Sequence, residues 1–185
     1  MNKAVFFDRD GTLIKHIPYS NNPELVELMP NSANLIENLN KFNYKVIVVS
    51  NQSAVARQIS TLKDVQLTNT KMIELFAKKN ARIDGIYFCP HHPGPLTFKN
   101  EFVKVCDCRK PLPKLFHLAS IEHSIELSKS FMIGDSEQDI IAGKSAGCTT
   151  IYLSKPNVDK QILSDYNITD LNQALNIIQE NKIGK

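Results

Sequence analysis

Lys3-Ala4-Val5-Phe6-Phe7-Asp8-Arg9-Asp10-Gly11-Thr12 is the stretch on which the fold turns. A short apolar run bounded by a turn reads as a buried strand. It delivers two carboxylates, Asp8 and Asp10, just past its end, followed by a Gly and a Thr that permit a tight turn. In open parallel α/β sheets, ligands bind at the carboxyl ends of the strands. Two acids one residue apart at such an end can divide nucleophilic and acid/base roles. An Asp-rich turn capping a strand is the bland alternative, so the partners downstream decide.

Working outward, residues 14–29 show little periodicity and read as a loop. A helix is expected from Pro30 or Ser32, with Leu35, Ile36, Leu39 and Phe42 at helical spacing. Lys45-Val46-Ile47-Val48-Val49-Ser50 is the second strand, ending in Ser50-Asn51-Gln52-Ser53 with Arg57 beyond. Thr61 reads as an N-cap, with Asp64 in place of the usual Glu of a capping box. The helix it opens carries Leu62, Val65, Met72, Ile73 and Phe76. Ile83 to Cys89 reads as a third strand, and the irregular segment Pro90 to Pro113 then breaks the rhythm. Helices near Lys114–His123 and Gln138–Ser145 alternate with strands at Phe131–Ile133 and Thr149–Leu153. Thr169 or Asp170 opens a last helix carrying Leu171, Ala174, Leu175 and Ile178. Alternating strands and helices predict a three-layer α/β sandwich around a central parallel sheet, one domain spanning residues 1–185.

The chain has 185 residues, 42% hydrophobic and 22% charged, as expected of a globular protein with a sizeable core. A net charge of +3 is too weak to argue for nucleic acid or an anionic membrane. The first strand starts almost at Met1, no apolar run reaches the ~18 residues of a membrane span, and the expectation is a cytoplasmic monomer. Cysteines are normally reduced there, so four of them suggest metal binding or burial before disulfides.

Four groups converge on one sheet edge in this reading: Asp8 with Asp10, Ser50-Asn51, Arg109-Lys110, and Gly134-Asp135 with Asp139. Carboxylates, a hydroxyl, an amide and two cations suit a Mg²⁺ ion plus a phosphate.

These residues carry a resemblance. Val5-Phe6-Phe7-Asp8-Arg9-Asp10-Gly11-Thr12, Val49-Ser50-Asn51-Gln52-Ser53, Lys110 and Gly134-Asp135-x-x-x-Asp139 resemble the four motifs of the haloacid-dehalogenase-type phosphatases, in order along nearly the whole chain. Cys89-Pro90-His91-His92-Pro93, Cys106-Asp107-Cys108-Arg109-Lys110-Pro111 and Asn51-Gln52-Ser53-x-x-Ala56-Arg57 resemble the heptose 1,7-bisphosphate 7-phosphatases within it. The histidinol-phosphate phosphatases are close relatives of that subfamily. The resemblance implies a Rossmann-like fold without a large cap domain and a role in heptose biosynthesis, a branch of carbohydrate metabolism. It implies Asp8 as nucleophile forming an aspartyl phosphate and Asp10 as general acid and base. Mg²⁺ would be held by Asp8, the Asp10 carbonyl and Asp135. Ser50 and Lys110 would hold phosphoryl oxygens, with Asn51, Gln52, Arg57 and Arg109 as further substrate contacts. Asp139 would orient Lys110 or cap the helix after it. The chain departs from the family pattern at Ile14, His16, Ala54, Lys114 and Ser136, all bordering the place where a sugar would sit.

Cys89, His91, Cys106 and Cys108 form a C-x-H…C-x-C set able to close a tetrahedral Zn²⁺ site within residues 89–110. That loop lacks secondary structure and needs a staple. His92 could substitute for His91, but the family pattern favours His91. Cys148 is expected in the core, His117 and His123 at the surface or in packing, and His16 near the substrate. Two other classes are weighed. A phospho-accepting receiver-type module has no need of Asp10, and a catalytically dead zinc-bound protein has no need of the full polar set.

Overall fold

In a computed structural model, which describes residues 1–16, 22–94, 100–154 and 162–183, six parallel strands form one sheet. They are β1 (Ala4–Phe7), β2 (Lys45–Asn51), β3 (Gly85–Cys89), β4 (Phe131–Gly134), β5 (Thr149–Leu153) and β6 (Tyr166–Ile168). Their order is β3-β2-β1-β4-β5-β6. In register, Phe6 lies beside Ile47 on one side and Met132 on the other. Chain order reverses at β1, so the carboxyl ends of β1 and β4 flank the topological switch point where such sheets bind ligands.

The helices are α1 (Ser32–Lys41), α2 (Leu62–Ala77), α3 (Lys114–Glu122), α4 (Glu137–Ala146) and α5 (Leu171–Ile183). Period-two alternation sends Val5, Phe7, Val46, Val48 and Ile133 into one core with Leu35, Leu39, Met72, Phe76 and Ile178, from α1, α2 and α5. Ala4, Phe6, Ile47, Val49 and Met132 face the other way, onto Leu115, Phe116 and Ala119 of α3 and Ala142 of α4. Strands β1, β2, β4 and β5 are therefore buried on both faces, which is why they read as continuous apolar runs.

Local chemistry sets the boundaries. Thr61 Oγ1 accepts from Asp64 N–H (3.1 Å) while Asp64 Oδ2 accepts from Thr61 N–H (2.8 Å), closing the anticipated capping box. The third strand starts two residues later than expected, at Gly85, because the Asp84 carboxylate instead accepts from Val46 N–H and Lys45 Nζ. Strand β6 is an addition: three edge residues are too few to show a period, and β5 holds them by parallel pairing. On α2, Leu62 and Ile73 are exposed rather than core. The buried stripe is Val65, Asn69, Met72 and Phe76.

Among the described residues, the connection from β1 to β2 holds a 3-10 turn (Pro23–Leu25) and α1, and no lid domain. The expected loop 14–29 and the zinc loop 89–110 include residues 17–21 and 95–99, which lie outside the described residues, as do 155–161 and 184–185 of the single-domain span. The described part of the second loop has neither helix nor strand but a bridge of its own: His92 N–H donates to Phe102 O (3.1 Å) and Lys104 N–H to His92 O (2.9 Å).

Candidate active site

Strand β1 ends where Asp8 N–H donates to Ile133 O (3.0 Å), then turns sharply as Leu13 and Ile14 N–H groups both donate to the Arg9 carbonyl. Gly11 sits at φ 87°, a region that side chains avoid. A Cβ there would come within 2.4 Å of Asp135 Oδ2, so the glycine also clears room for the carboxylate at the end of β4. The turn thus presents Asp8 and Asp10 to Asp135 across the switch point.

Lys110 arrives from the far side. Its backbone is docked on the end of β2 by Asn51: Lys110 N–H donates to Asn51 Oδ1 and Asn51 Nδ2 donates to Lys110 O, each at 3.0 Å. The ammonium, 2% exposed, donates to Asp8 Oδ1 and to the Val49 carbonyl, both at 2.6 Å, and pairs with Asp139 Oδ1 at 2.5 Å. Asp139 has two jobs. Its Oδ2 accepts from Ser136 N–H (3.0 Å) and Ser136 Oγ–H (2.6 Å), completing the capping box of α4, while Oδ1 faces Lys110. Both roles entertained from the sequence are present at once.

Burial pushes Asp8 up to about 7, against the opposing pull of Lys110 and with Asp139 adding to the rise. Burial acts to lower Lys110, but Asp8 and Asp139 outweigh it and hold the ammonium charged. Three carboxylates, Asp8, Asp135 and Asp139, approach one another within 4.8 Å at their oxygens. Lys110 alone does not balance them. The all-oxygen donor set, the room left by Gly11 and the excess negative charge fit a hard divalent cation of the Mg²⁺ type.

The second carboxylate is held differently. Gln52 Nε2 donates to Asp10 Oδ2 (2.8 Å) and to Ser50 Oγ (2.7 Å). Arg9, which the sequence reading left without a role, donates to Asp10 through Nε and Nη2, to Gln52 Oε1 and to Asn69 Oδ1. Asn69 was missed too. The available signal was its place on the buried stripe of α2, four residues after Val65, where a polar side chain requires a polar partner.

The carboxylates, Ser50, Gln52, Arg9 and Lys110 open onto a cavity of about 450 Å³, lined also by His16, Arg109, Ser136, Gln138 and Thr68. The volume suits a small ligand. Asp8, Asp10, Ser50, Asn51, Gln52, Arg109, Lys110 and Asp135 all line it. Arg57 does not: its Nη2 lies 3.0 Å from His92 Nε2, turned towards the loop. Lys114 instead pairs with Asp107 in solvent (2.7 Å).

A second cluster lies behind. Cys89 Sγ is 3.5 Å from Cys106 Sγ and 3.2 Å from Cys108 Sγ, and His91 Nδ1 is 3.3 Å from Cys108 Sγ and 3.6 Å from Cys89 Sγ. Ligands about 2.3 Å from a tetrahedral Zn²⁺ would lie roughly 3.7 Å apart, so the donor set fits that ion. Burial pushes the Cys89 and Cys108 thiols up. His92 faces Arg57 and stays outside the cluster. Cys108 immediately precedes Arg109, whose Nη1 donates to His91 O (3.1 Å), so the cluster anchors the segment that delivers Lys110. Cys148 is core, as expected.

Known proteins resemble this chain in sequence and in fold. The HAD-hydrolase-like family model matches residues 107–172. The D-glycero-beta-D-manno-heptose-1,7-bisphosphate 7-phosphatase of Helicobacter pylori is 40% identical over 146 residues, 78% of this chain and 79% of that protein. Its counterpart from Pasteurella multocida is 37% identical over 156 residues, 84% of this chain and 83% of that one. The crystal structure of the D,D-heptose 1,7-bisphosphate phosphatase from B. bronchiseptica, complexed with magnesium and phosphate, superposes with a TM-score of 0.81 at 23% identity, covering 96% of this chain and 98% of the other.

Proposed function

The chain belongs to the D-glycero-beta-D-manno-heptose-1,7-bisphosphate 7-phosphatase family of haloacid-dehalogenase-like hydrolases, a family of phosphatases, and we propose that it removes the 7-phosphate of that sugar through an aspartyl phosphate. The observation that carries this reading is the pairing of two differently held carboxylates on one turn. Asp8 contacts the buried ammonium of Lys110, whereas Asp10 is held by neutral and cationic donors away from it.

In the proposed cycle the Asp8 carboxylate attacks phosphorus, forming a P–O bond as the bond to the sugar oxygen breaks. Asp10 gives its proton to that departing oxygen, then takes one from the water that attacks the aspartyl phosphate. Inorganic phosphate leaves and Asp8 is regenerated. Lys110, held in place by Val49 O and Asp139, turns the donor it gave Asp8 to the phosphoryl oxygens. Ser50 Oγ accepts from Gln52, which leaves its hydroxyl hydrogen available to the same oxygens. Mg²⁺ held by Asp8, Asp135 and the Asp10 carbonyl would supply the remaining positive charge and keep Asp8 ionised. Asn51 acts through the backbone of Lys110, and Arg109 stands at the cavity wall for a second phosphate. Zn²⁺ bound by Cys89, His91, Cys106 and Cys108 would be structural, since four protein ligands leave no open position.

We read the protein as one phosphatase domain acting as a monomer on a small phosphorylated sugar. Among the described residues, no helix is long and apolar enough to cross a membrane. The test is Mg²⁺-dependent release of inorganic phosphate from the heptose bisphosphate, with a heptose product whose remaining phosphate is the acid-labile 1-phosphate. Release of the 1-phosphate, or no release, would refute the assignment.

A further inference from the structure

The buried guanidinium of Arg9 is the group that the proposed chemistry does not use. It is 6% exposed and cannot shed its charge, so its donors need partners. Each of its three nitrogens has one: Nη1 donates to Asn69 Oδ1 (2.9 Å), Nη2 to Gln52 Oε1 (2.8 Å) and Asp10 Oδ1 (3.3 Å), and Nε to Asp10 Oδ2 (3.1 Å). We propose that Arg9, anchored by Asn69 on α2, is a positioning residue that aims the Asp10 carboxyl and fixes the amide of Gln52. The inference rests on the acid/base reading of Asp10 and deepens it.

Three consequences of the geometry support it. First, Arg9 dictates which way the Gln52 amide points. With Oε1 committed to a cation, Nε2 must face Asp10 Oδ2 and Ser50 Oγ; a reversed amide would set its oxygen against a carboxylate. Second, the two oxygens of Asp10 become unequal. Oδ2 accepts from both Arg9 Nε and Gln52 Nε2, while Oδ1 receives one long bond, so Oδ1 is the oxygen free to carry the proton to and from the leaving group. Third, a planar fork is required. A lysine offers a point charge that cannot span acceptors on three side chains.

Asn69 explains how this arrangement survives turnover. It stands on the same helix as Val65 and Thr68, which line the cavity, so the guanidinium is referenced to a helix packed in the core. Asp10 can then change partners during the reaction while its orientation is kept.

The test compares Arg9→Lys, Asn69→Leu and the double variant in the metal-loaded protein, with thermal melts confirming the fold. Two rates are read: steady-state turnover of a sugar phosphate, and single-turnover formation of the phosphoenzyme from p-nitrophenyl phosphate, whose leaving group needs no proton. The expected result for Arg9→Lys is a fall of about 100-fold in kcat on the sugar phosphate with KM within threefold, but less than tenfold in the aryl single turnover. Asn69→Leu should show the same split at about tenfold, and the double variant should be no worse than Arg9→Lys, because both act through one contact. Equal losses on both substrates, a change confined to KM, or independent multiplication of the two effects would overturn the inference. Should Arg9→Lys fail to fold, Asn69→Leu carries the same decision alone. Asp10→Asn separates the two levels: full sugar-phosphate turnover by Asp10→Asn sinks the acid/base reading itself. A dead Asp10→Asn beside a fully active Arg9→Lys sinks only the role of Arg9.

Discussion

Asp8, the proposed nucleophile, also carries a stability signature. Burial raises it to about 7 against an unfolded value of 3.8. A carboxyl whose folded pKa is raised stabilises the fold fully below the unfolded value, and that contribution is lost as pH climbs through the folded one. In Mg²⁺-free buffer the protein should therefore lose stability between pH 4 and pH 8. Asp8→Asn removes this dependence while leaving Lys110 its bonds to Asp139 and Val49 O, so the variant should melt several degrees higher than the parent at pH 8 and nearly the same at pH 4. Its turnover should fall below about one part in 10⁴, since an amide is no nucleophile. Thermal melts across pH decide the first claim; a variant less stable at pH 8 would show that the Lys110 pair outweighs burial. The residues seen at this scale from sequence alone were those that end a strand or flank the start of a helix. Arg9 and Asn69 escaped because one sits between two louder acids, and the other hides a polar side chain on an apolar stripe.

Elements decide whether these side chains meet. The capping box of α4 ties Asp139 to Ser136 and, through its other oxygen, to Lys110. Asp139→Ala should destabilise by about 3 kcal/mol, the scale for breaking a buried pair, and urea titration would check it. Between Pro90 and Lys110 the described residues of the cysteine loop form no helix or strand, so the proposed Zn²⁺ would supply its order. Cys106→Ser should lower both Tm and zinc content, because a closed thiolate site is folding free energy. Mild chelation should instead stop activity reversibly, by removing Mg²⁺ alone. Elemental analysis finding no zinc in fully active protein would rule out the staple. Long apolar strands and the Thr61 cap were legible because period and capping chemistry are local. Strand β6 was not, being held by pairing with β5 rather than by anything in its own three residues. The start of β3 was misjudged for a similar reason, since Asp84 is occupied by Lys45 and Val46.

At the scale of the whole molecule, the switch point at β1 gathers Asp8 and Asp10, Lys110, and Asp135 from three separate parts of the chain around one cavity. Their convergence was readable because each follows or precedes an element of a parallel sheet. Which cations reach the rim was not, since it depends on side-chain direction: Arg57 turns to His92, leaving Arg109 as the cavity-facing arginine of the pair. A remote phosphate bound there can orient the reacting one. Arg109→Ala should thus narrow the advantage of a bisphosphate over a monophosphate, whereas Arg57→Ala should act only through the loop. The most direct measurement is kcat/KM across heptose 1,7-bisphosphate, a hexose 6-phosphate and histidinol phosphate, with the released phosphate assigned by position. The prediction is loss of the 7-phosphate with a preference of at least ~100-fold over the monophosphates, the loss expected from one charge-assisted contact. Preference for histidinol phosphate, or equal rates across the panel, would contradict it.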